Sequence, residues 1–177
     1  MTAFRLRALL EEDRPWLSQF WVEHWGDEIM VVHGEVFRAA DLPGFAAEQD
    51  GQIVGLVTYQ IRGGEVEVLS LDSLRPGQGI GRALLGAVVQ AALADGCARL
   101  TLITTNDNLD ALRFYQRLGL RLRAIHAGAV EQSRKIKPSI PLVGNDGIPI
   151  RDELELDLAL DSEEAAGIAS FAQTVLQ

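Results

Sequence analysis

Between Leu71 and Leu85 the chain reads Leu-Asp-Ser-Leu-Arg-Pro-Gly-Gln-Gly-Ile-Gly-Arg-Ala-Leu-Leu. Gly77, Gly79 and Gly81 separate an alternating apolar run from an apolar run with helical spacing. This pattern is a strand, a glycine turn and a helix start, and its chemistry is anion binding. Glycine lets the backbone approach a ligand closely, because no side chain intervenes. The first N–H groups of a helix lack internal partners and point outward at the positive end of its dipole. The expected ligand carries phosphate.

Spacing narrows the kind of phosphate site. A nucleotide triphosphate loop needs Gly-x-x-x-x-Gly-Lys-Ser/Thr, but Gly81 is followed by Arg82 and Ala83. A dinucleotide fingerprint needs Gly-x-Gly-x-x-Gly. Gly77-Gln-Gly79 leads to Arg82 and Gly79-Ile-Gly81 leads to Leu84, so neither register fits.

The elements that must position this loop follow from periodicity. Phe4 to Leu9 reads as a first strand. Glu11 to Glu23 reads as a helix, with Trp16, Leu17, Phe20 and Trp21 at helical spacing. Residues 25–40 read as one or two further short helices. Phe45 to Glu48, Gln52 to Ile61 and Glu65 to Leu71 are three antiparallel strands, with hairpin signals at Asp50-Gly51 and Gly63-Gly64. Gly79 to Ala94 is the clearest helix, closed by Asp95-Gly96. A strand over Ala98 to Thr104 then implies a parallel crossover. Asn106-Asp-Asn108 offers N-cap candidates for a helix running to Leu118, and Leu120 to Ile125 is a strand. Residues 129–150 are a long connection, either a functional flap or an interface element. Arg151 to Leu160 is a last strand and Ser162 to Gln177 a terminal helix. The fold class is α/β: a mixed, mostly antiparallel sheet with a central parallel βαβ crossover and helices on both faces.

At 177 residues the chain suits one domain with a substantial core. Its formal net charge of −9 argues against a nucleic-acid partner and mildly suits a cationic substrate, although solubility alone also explains it. Cys97 is the only cysteine, so a reducing cytoplasm is the expected compartment. The opening Met-Thr-Ala-Phe-Arg-Leu-Arg has no apolar stretch suited to a signal peptide. No segment reaches the roughly 20 apolar residues of a membrane helix. His24, His33 and His126 are far apart in sequence and give no metal-ligand spacing, so no metal is expected.

A second motif joins the glycine loop. Asn108-Leu-Asp-Ala111-Leu-Arg-Phe114-Tyr115-Gln-Arg-Leu-Gly119-Leu reads N-x-x-A-x-x-F-Y-x-x-x-G. With Gly79-x-Gly81 opening the long helix, the chain resembles the GNAT family of N-acetyltransferases over about residues 4–160. The resemblance implies a transferase domain over residues 1–160 and a helical extension over 161–177. It implies acetyl-CoA as cosubstrate, its pyrophosphate held by Gly77, Gln78, Gly79, Ile80, Gly81 and Arg82. The backbone of Leu69, Ser70 and Leu71 would pair with the pantetheine arm, and the N–H near Leu69 would polarise the thioester carbonyl. Asn108 would contact the pantetheine, and Tyr115 would protonate the departing thiolate. Glu65, four residues before Leu69, matches the general base of the family's histone-acetylating members, and Glu67 lies on the same strand face. The family pattern places Gln or Arg where this chain has Pro76. The arginine stands one place earlier, at Arg75, and proline supplies no N–H.

Each residue also has a plainer reading. Leu69 and Leu71 suit core packing, Glu65 and Glu67 a solvated strand, Tyr115 a buried helix stripe, and Asn108 a helix cap. Trp21, His24 and Trp25 share one face if their helix continues past Glu23, as an amine-binding cluster or as core anchors. Lys135 and Lys137 suit either an acidic substrate group, the 3′-phosphate of CoA, or a solvated loop. The leading expectation is acetyl transfer to a primary amine on a small molecule or peptide. The alternatives are a non-catalytic acyl-CoA-binding module on the same fold and a homodimer built from the 129–150 segment and the last strand. No membrane partner is expected.

Overall fold

The computed structural model describes residues 4–175. Strand β1 (Arg5–Ala8) is followed by a 3-10 turn at Glu11–Asp13 and helix α1 (Arg14–Trp25). Buried Asp13 fixes the start of α1. One of its oxygens accepts the Leu10 N–H at 2.7 Å and the other accepts Trp16 Nε1 at 2.7 Å.

Residues 25–40 depart from the expected helices. They form a hairpin of β2 (Ile29–Val32) and β3 (Glu35–Arg38), then a single 3-10 turn at Ala39–Asp41. The hairpin turn is His33-Gly34, with φ of 50° and 75°. Two successive left-handed residues make the tight turn that suits strand twist. Ile29, Val31, Val32 and Val36 are β-branched and favour the extended chain.

The next elements follow expectation. β4 (Gly44–Gln49), β5 (Gln52–Arg62) and β6 (Glu65–Ser73) are antiparallel neighbours. Their turns, Asp50-Gly51 and Gly63-Gly64, have positive φ at both residues. Helix α2 (Ile80–Ala94) leads to β7 (Arg99–Thr105). Helix α3 (Leu109–Arg117) and strand β8 (Arg121–His126) follow. The 129–150 connection is not all irregular: it opens with helix α4 (Ala129–Ile136) and holds a 3-10 turn at Asn145–Gly147. Strand β9 (Glu153–Ala159) and helix α5 (Glu163–Gln173) end the described chain. Ser162 caps α5 by accepting the Ala165 N–H. The expected terminal helix stops at Gln173, and its last two residues, 176 and 177, lie outside the described residues.

Seven strands form one sheet in the order β1-β4-β5-β6-β7-β9-β8. It is mostly antiparallel and contains a parallel pair, β6 and β7 are neighbours joined through α2, and helices flank it. The chain divides into two compact units. One gathers the described residues up to Leu9, Pro43–Thr101 and those from Asp157 onward; the other gathers Leu10–Leu42 and Leu102–Leu156.

In the first unit α2 is buried along most of its length. Gly55 on β5 lets it settle on the sheet, since a Cβ there would lie 2.5 Å from Ile80 Cγ2 and 3.0 Å from Leu84 Cδ1. Gly86 lets α5 press on its other side, since a Cβ there would lie 2.5 Å from the Ile168 carbonyl oxygen and 2.7 Å from Ala172 Cβ. Gly86→Ala is therefore expected to cost about 1–3 kcal/mol by overpacking, outweighing a helix-propensity gain of about 1 kcal/mol. Gly167→Ala on α5 meets nothing within 4 Å and is expected to stabilise by up to about 1 kcal/mol. Urea unfolding of both variants measures the contrast. A stabilised Gly86→Ala would show that the two helices are not in tight contact.

Candidate functional site

The glycine loop has the geometry its composition requires. Gly77 and Gly79 adopt φ of 80° and 79°, which side chains other than glycine rarely tolerate. Gly79 is the N-cap of α2, and no side chain caps the helix there. The first helical hydrogen bond runs from the Ala83 N–H to the Gly79 carbonyl at 3.0 Å. The N–H groups of Ile80, Gly81 and Arg82 precede it and have no partner within the helix. Ile80 is fully buried and pins the first turn, while Gly77 and Gln78 are exposed.

The flanking arginines are occupied. Arg75 donates to Gln49 Oε1 at 3.0 Å and to Gln52 Oε1 at 3.5 Å. Arg82 folds over α5, where its guanidinium lies 4.6 Å from the centroid of Phe171 and donates to the Gly167 carbonyl at 3.2 Å. Its Nε is buried with no acceptor. Both side chains add positive potential beside the loop.

β6 leads into the loop and carries an irregularity that alternation did not reveal. Tyr59 pairs with Val68 and Thr58 with Ser70, so Leu69 is the extra residue of a bulge. A bulge leaves that residue outside the ladder and bends the strand. Beside it the buried Thr58 and Ser70 hydroxyls hydrogen-bond at 2.7 Å. Strict alternation, which placed Glu65, Glu67 and Leu69 on one face, ends at Val68.

Both candidate bases already hold partners. Glu65 Oε1 lies 3.3 Å from Arg99 Nε, and Arg99 also reaches Asp157 at 2.7 Å. Glu67 accepts from Gln60 Nε2 at 2.7 Å. Leu69 and Ser70 are buried and Leu71 is half-buried.

In the second unit, Asn108 caps α3 by accepting the Ala111 N–H at 3.2 Å. Tyr115 is 9% exposed, packs edge-on against Phe114 and lies on the same helix. The neighbouring residues do other work. Asp107 is buried and accepts the Thr105 hydroxyl at 2.6 Å, the Asn145 N–H at 3.0 Å and its side-chain amide at 2.9 Å. Asn106 accepts the Arg151 and Asp152 N–H groups and donates to the Pro149 carbonyl. The expected capping tripeptide therefore caps with one residue and ties down the 129–150 segment with the other two.

The early aromatic cluster separates. Helix α1 continues to Trp25, but Trp21 is fully buried while His24 and Trp25 are exposed. The His24 ring lies tilted against Phe20, with centroids 4.2 Å apart. The histidines correct the sequence argument in another way. His33 and His126, far apart in the chain, have ring centroids 4.8 Å apart, and His126 Nε2 is 2.9 Å from Glu155. One ligand atom from each of the three lies within 4.8 Å of the others. Spacing in the sequence is therefore no ground for excluding a metal.

A mixed, seven-stranded sheet with a bulged central strand and a left-handed glycine turn into an uncapped, buried helix defines an acyl-CoA N-acyltransferase-like fold. Residues 6–120 match the model of the Acetyltransferase (GNAT) family, and the chain belongs to that family. It is 44% identical over 146 residues to the Bacillus subtilis protein YdhI, covering 82% of this chain and 91% of that one. An IAA acetyltransferase from Bacillus cereus superposes with a TM-score of 0.66 at 19% identity, covering 89% of this chain and 99% of that one. A Bacillus subtilis acetyltransferase in complex with CoA superposes with a TM-score of 0.63 at 17% identity, covering 88% and 98%.

Lys137, expected on a solvated loop, is only 7% exposed. Its Nζ donates to the carbonyls of Ile29 at 2.9 Å and Trp25 at 3.4 Å. Burial holds its pKa below the ordinary 10.5, with Asp27 opposing the shift. Between the lowered folded value and the unfolded one, the unfolded chain binds more protons, so this residue makes stability rise with pH. A Lys137→Met variant lacks that rise. Urea titrations at rising pH should show the wild type gaining on the variant until about pH 10.4, where unfolded lysine titrates. A pH-independent difference would refute the burial effect.

Proposed function

We propose that the protein is an N-acetyltransferase that moves the acetyl group of acetyl-CoA to a primary amine in a ternary complex. The observation that carries this reading is the left-handed Gly77 and Gly79 pair opening uncapped α2. Gly77, Gln78, Gly79, Ile80, Gly81 and Arg82 would hold the pyrophosphate through backbone N–H groups. The backbone of Leu69, Ser70 and Leu71 would pair with the pantetheine arm, and Asn108 would contact it. The bulge at Leu69 supports an unpaired N–H free to stabilise the oxyanion.

The amine nitrogen attacks the thioester carbonyl carbon, the oxyanion collapses and the C–S bond breaks. Tyr115 gives its phenolic proton to the CoA thiolate, and the second proton that the nitrogen sheds as the amide forms restores the phenol. Glu65 or Glu67, directly or through water, takes the proton the ammonium must lose. This chemistry requires no metal. We assign the transferase domain to residues 1–160 and a helical extension to 161–177. A cytoplasmic location is supported by Cys97, which is free and buried.

Tyr115→Phe keeps the ring contact with Phe114 and removes only the hydroxyl. It is expected to bind acetyl-CoA normally and to lose about 10²- to 10⁴-fold in turnover. Acetyl-CoA-dependent thiol release measures the change. A non-catalytic acyl-CoA-binding module would bind acetyl-CoA and release no thiol across polyamines, amino acids, aminoglycosides and peptide N-termini.

The homodimer expected from the 129–150 segment and the last strand cannot form by edge pairing of that strand, since β9 lies between β7 and β8 in the sheet; a homodimer reading passes instead to the neighbouring edge. β8 ends the sheet and exposes Leu122 (49%) and Ile125 (68%). Gel filtration is expected to give twice the monomer mass, reduced to the monomer by Ile125→Lys. A wild-type monomer would remove this reading.

A further inference from the structure

Asp13, Asp107 and Glu153 are the buried acidic residues among those described. Asp13 and Asp107 have close donors on both oxygens. Glu153 does not. It is 3% exposed, and its Oε2 has no hydrogen-bond partner. Its Oε1 has only the Ser133 hydroxyl, at 3.4 Å. His33 Nδ1 stands 3.6 Å from Oε2, beyond hydrogen-bond reach, and its side chain is 41% exposed. A buried carboxylate is costly unless something pairs with it.

Glu153 lines a cavity of about 220 Å³ within the second unit. Its other walls are largely apolar, including Trp25, Met30, Val130, Ile140 and Ile150. Lys137 also lines it, but its Nζ is engaged by two backbone carbonyls. Among the described lining residues Glu153 is the sole carboxylate. A cavity of about 150 Å³ lined by aliphatic and aromatic side chains admits benzene. The present one therefore has room for a ring or branched alkyl group with a few further atoms.

We propose that this cavity binds a small hydrophobic primary amine. Its ammonium pairs with Glu153 Oε2, the Ser133 hydroxyl lies alongside, and its hydrocarbon packs against Trp25, Met30 and Ile140. One carboxylate matches one ammonium. A polyamine's second cation finds no second acid here, and an aminoglycoside is too large and too polar for these walls. Naming this amine the acetyl acceptor rests on the acetyl-transfer reading; its binding to the cavity does not.

Calorimetric titration of the full chain without acetyl-CoA tests the proposal, using benzylamine, benzyl alcohol, benzoate and spermidine as probes. Benzylamine is expected to bind at least tenfold more tightly than the other three. Glu153→Gln is expected to lower its affinity at least tenfold and to erase the preference over benzyl alcohol. Ile140→Trp fills the cavity and is expected to abolish binding. The proposal is overturned if benzylamine binds no better than its alcohol, if spermidine binds best, or if a cooperatively melting Glu153→Gln binds like wild type. Unchanged binding by Ile140→Trp overturns it too, and the wild-type series decides alone should Glu153→Gln fail to fold. Thiol release with acetyl-CoA is read separately. Benzylamine that binds through Glu153 but accepts no acetyl group shows that the cavity is not the acceptor site and leaves the amine site standing, while the transferase reading fails only if the whole amine panel releases no thiol.

Discussion

Close backbone approach at Gly55 and Gly86 is the constraint on which the first unit depends. Helix α2 carries apolar side chains nearly all round, so it must be covered on both sides. A side chain at Gly55 would lift its first turn from the sheet, and one at Gly86 would push α5 away. The loop inherits its position from that clamp. Ile80 is wedged over Gly55, which fixes where the uncapped N–H groups begin. Phe171 of α5 lies so close to Gly79 that a Cβ there would stand 2.9 Å from its ring. The left-handed turn is thus held by packing as well as by glycine's conformational freedom.

In the second unit the organising groups are polar. Asp107 is buried and fully engaged, and Gly144 leaves the room its carboxylate needs. Asn106 takes the Arg151 and Asp152 N–H groups, so the segment entering β9 is fixed from the end of β7. Buried polar networks of this kind specify one arrangement when every member is satisfied. Arg134 adds to it by donating to the carbonyls of Ile140, Pro141 and Ile150. The 129–150 connection is therefore anchored along its length, and the cavity wall at Ile140 and Ile150 is built on fixed backbone.

Local signals made much of this legible. Paired turn residues marked Asp50-Gly51 and Gly63-Gly64, helical spacing marked α2, and Asn108 stood where a cap belongs. The β2–β3 hairpin was missed because its strands are four residues each, too short for alternation to outweigh the helix before them. Its signal was the His33-Gly34 pair between β-branched runs. The bulge at Leu69 was invisible because an extra residue exists only relative to a partner strand. The same holds for Glu153, Lys137 and the His33–His126 contact. Burial and proximity between residues a hundred positions apart are properties of the fold, and single-sequence periodicity does not carry them.

A net charge of −9 and a proposed phosphate ligand look incompatible, and their scales resolve the conflict. At physiological ionic strength, surface charges are screened over about 8 Å. Their repulsion therefore slows approach more than it weakens a docked anion. What acts at contact is the end of α2, whose N–H groups and dipole are fixed and carry no titrating proton. Arg82 is held beside that end by Phe171, with its Nε lacking an acceptor. The acidic surface has the opposite effect on a cation, drawing an ammonium toward the protein. Backbone dipoles suit the proposed anionic cosubstrate and a buried carboxylate the proposed amine, so one acidic chain can serve both.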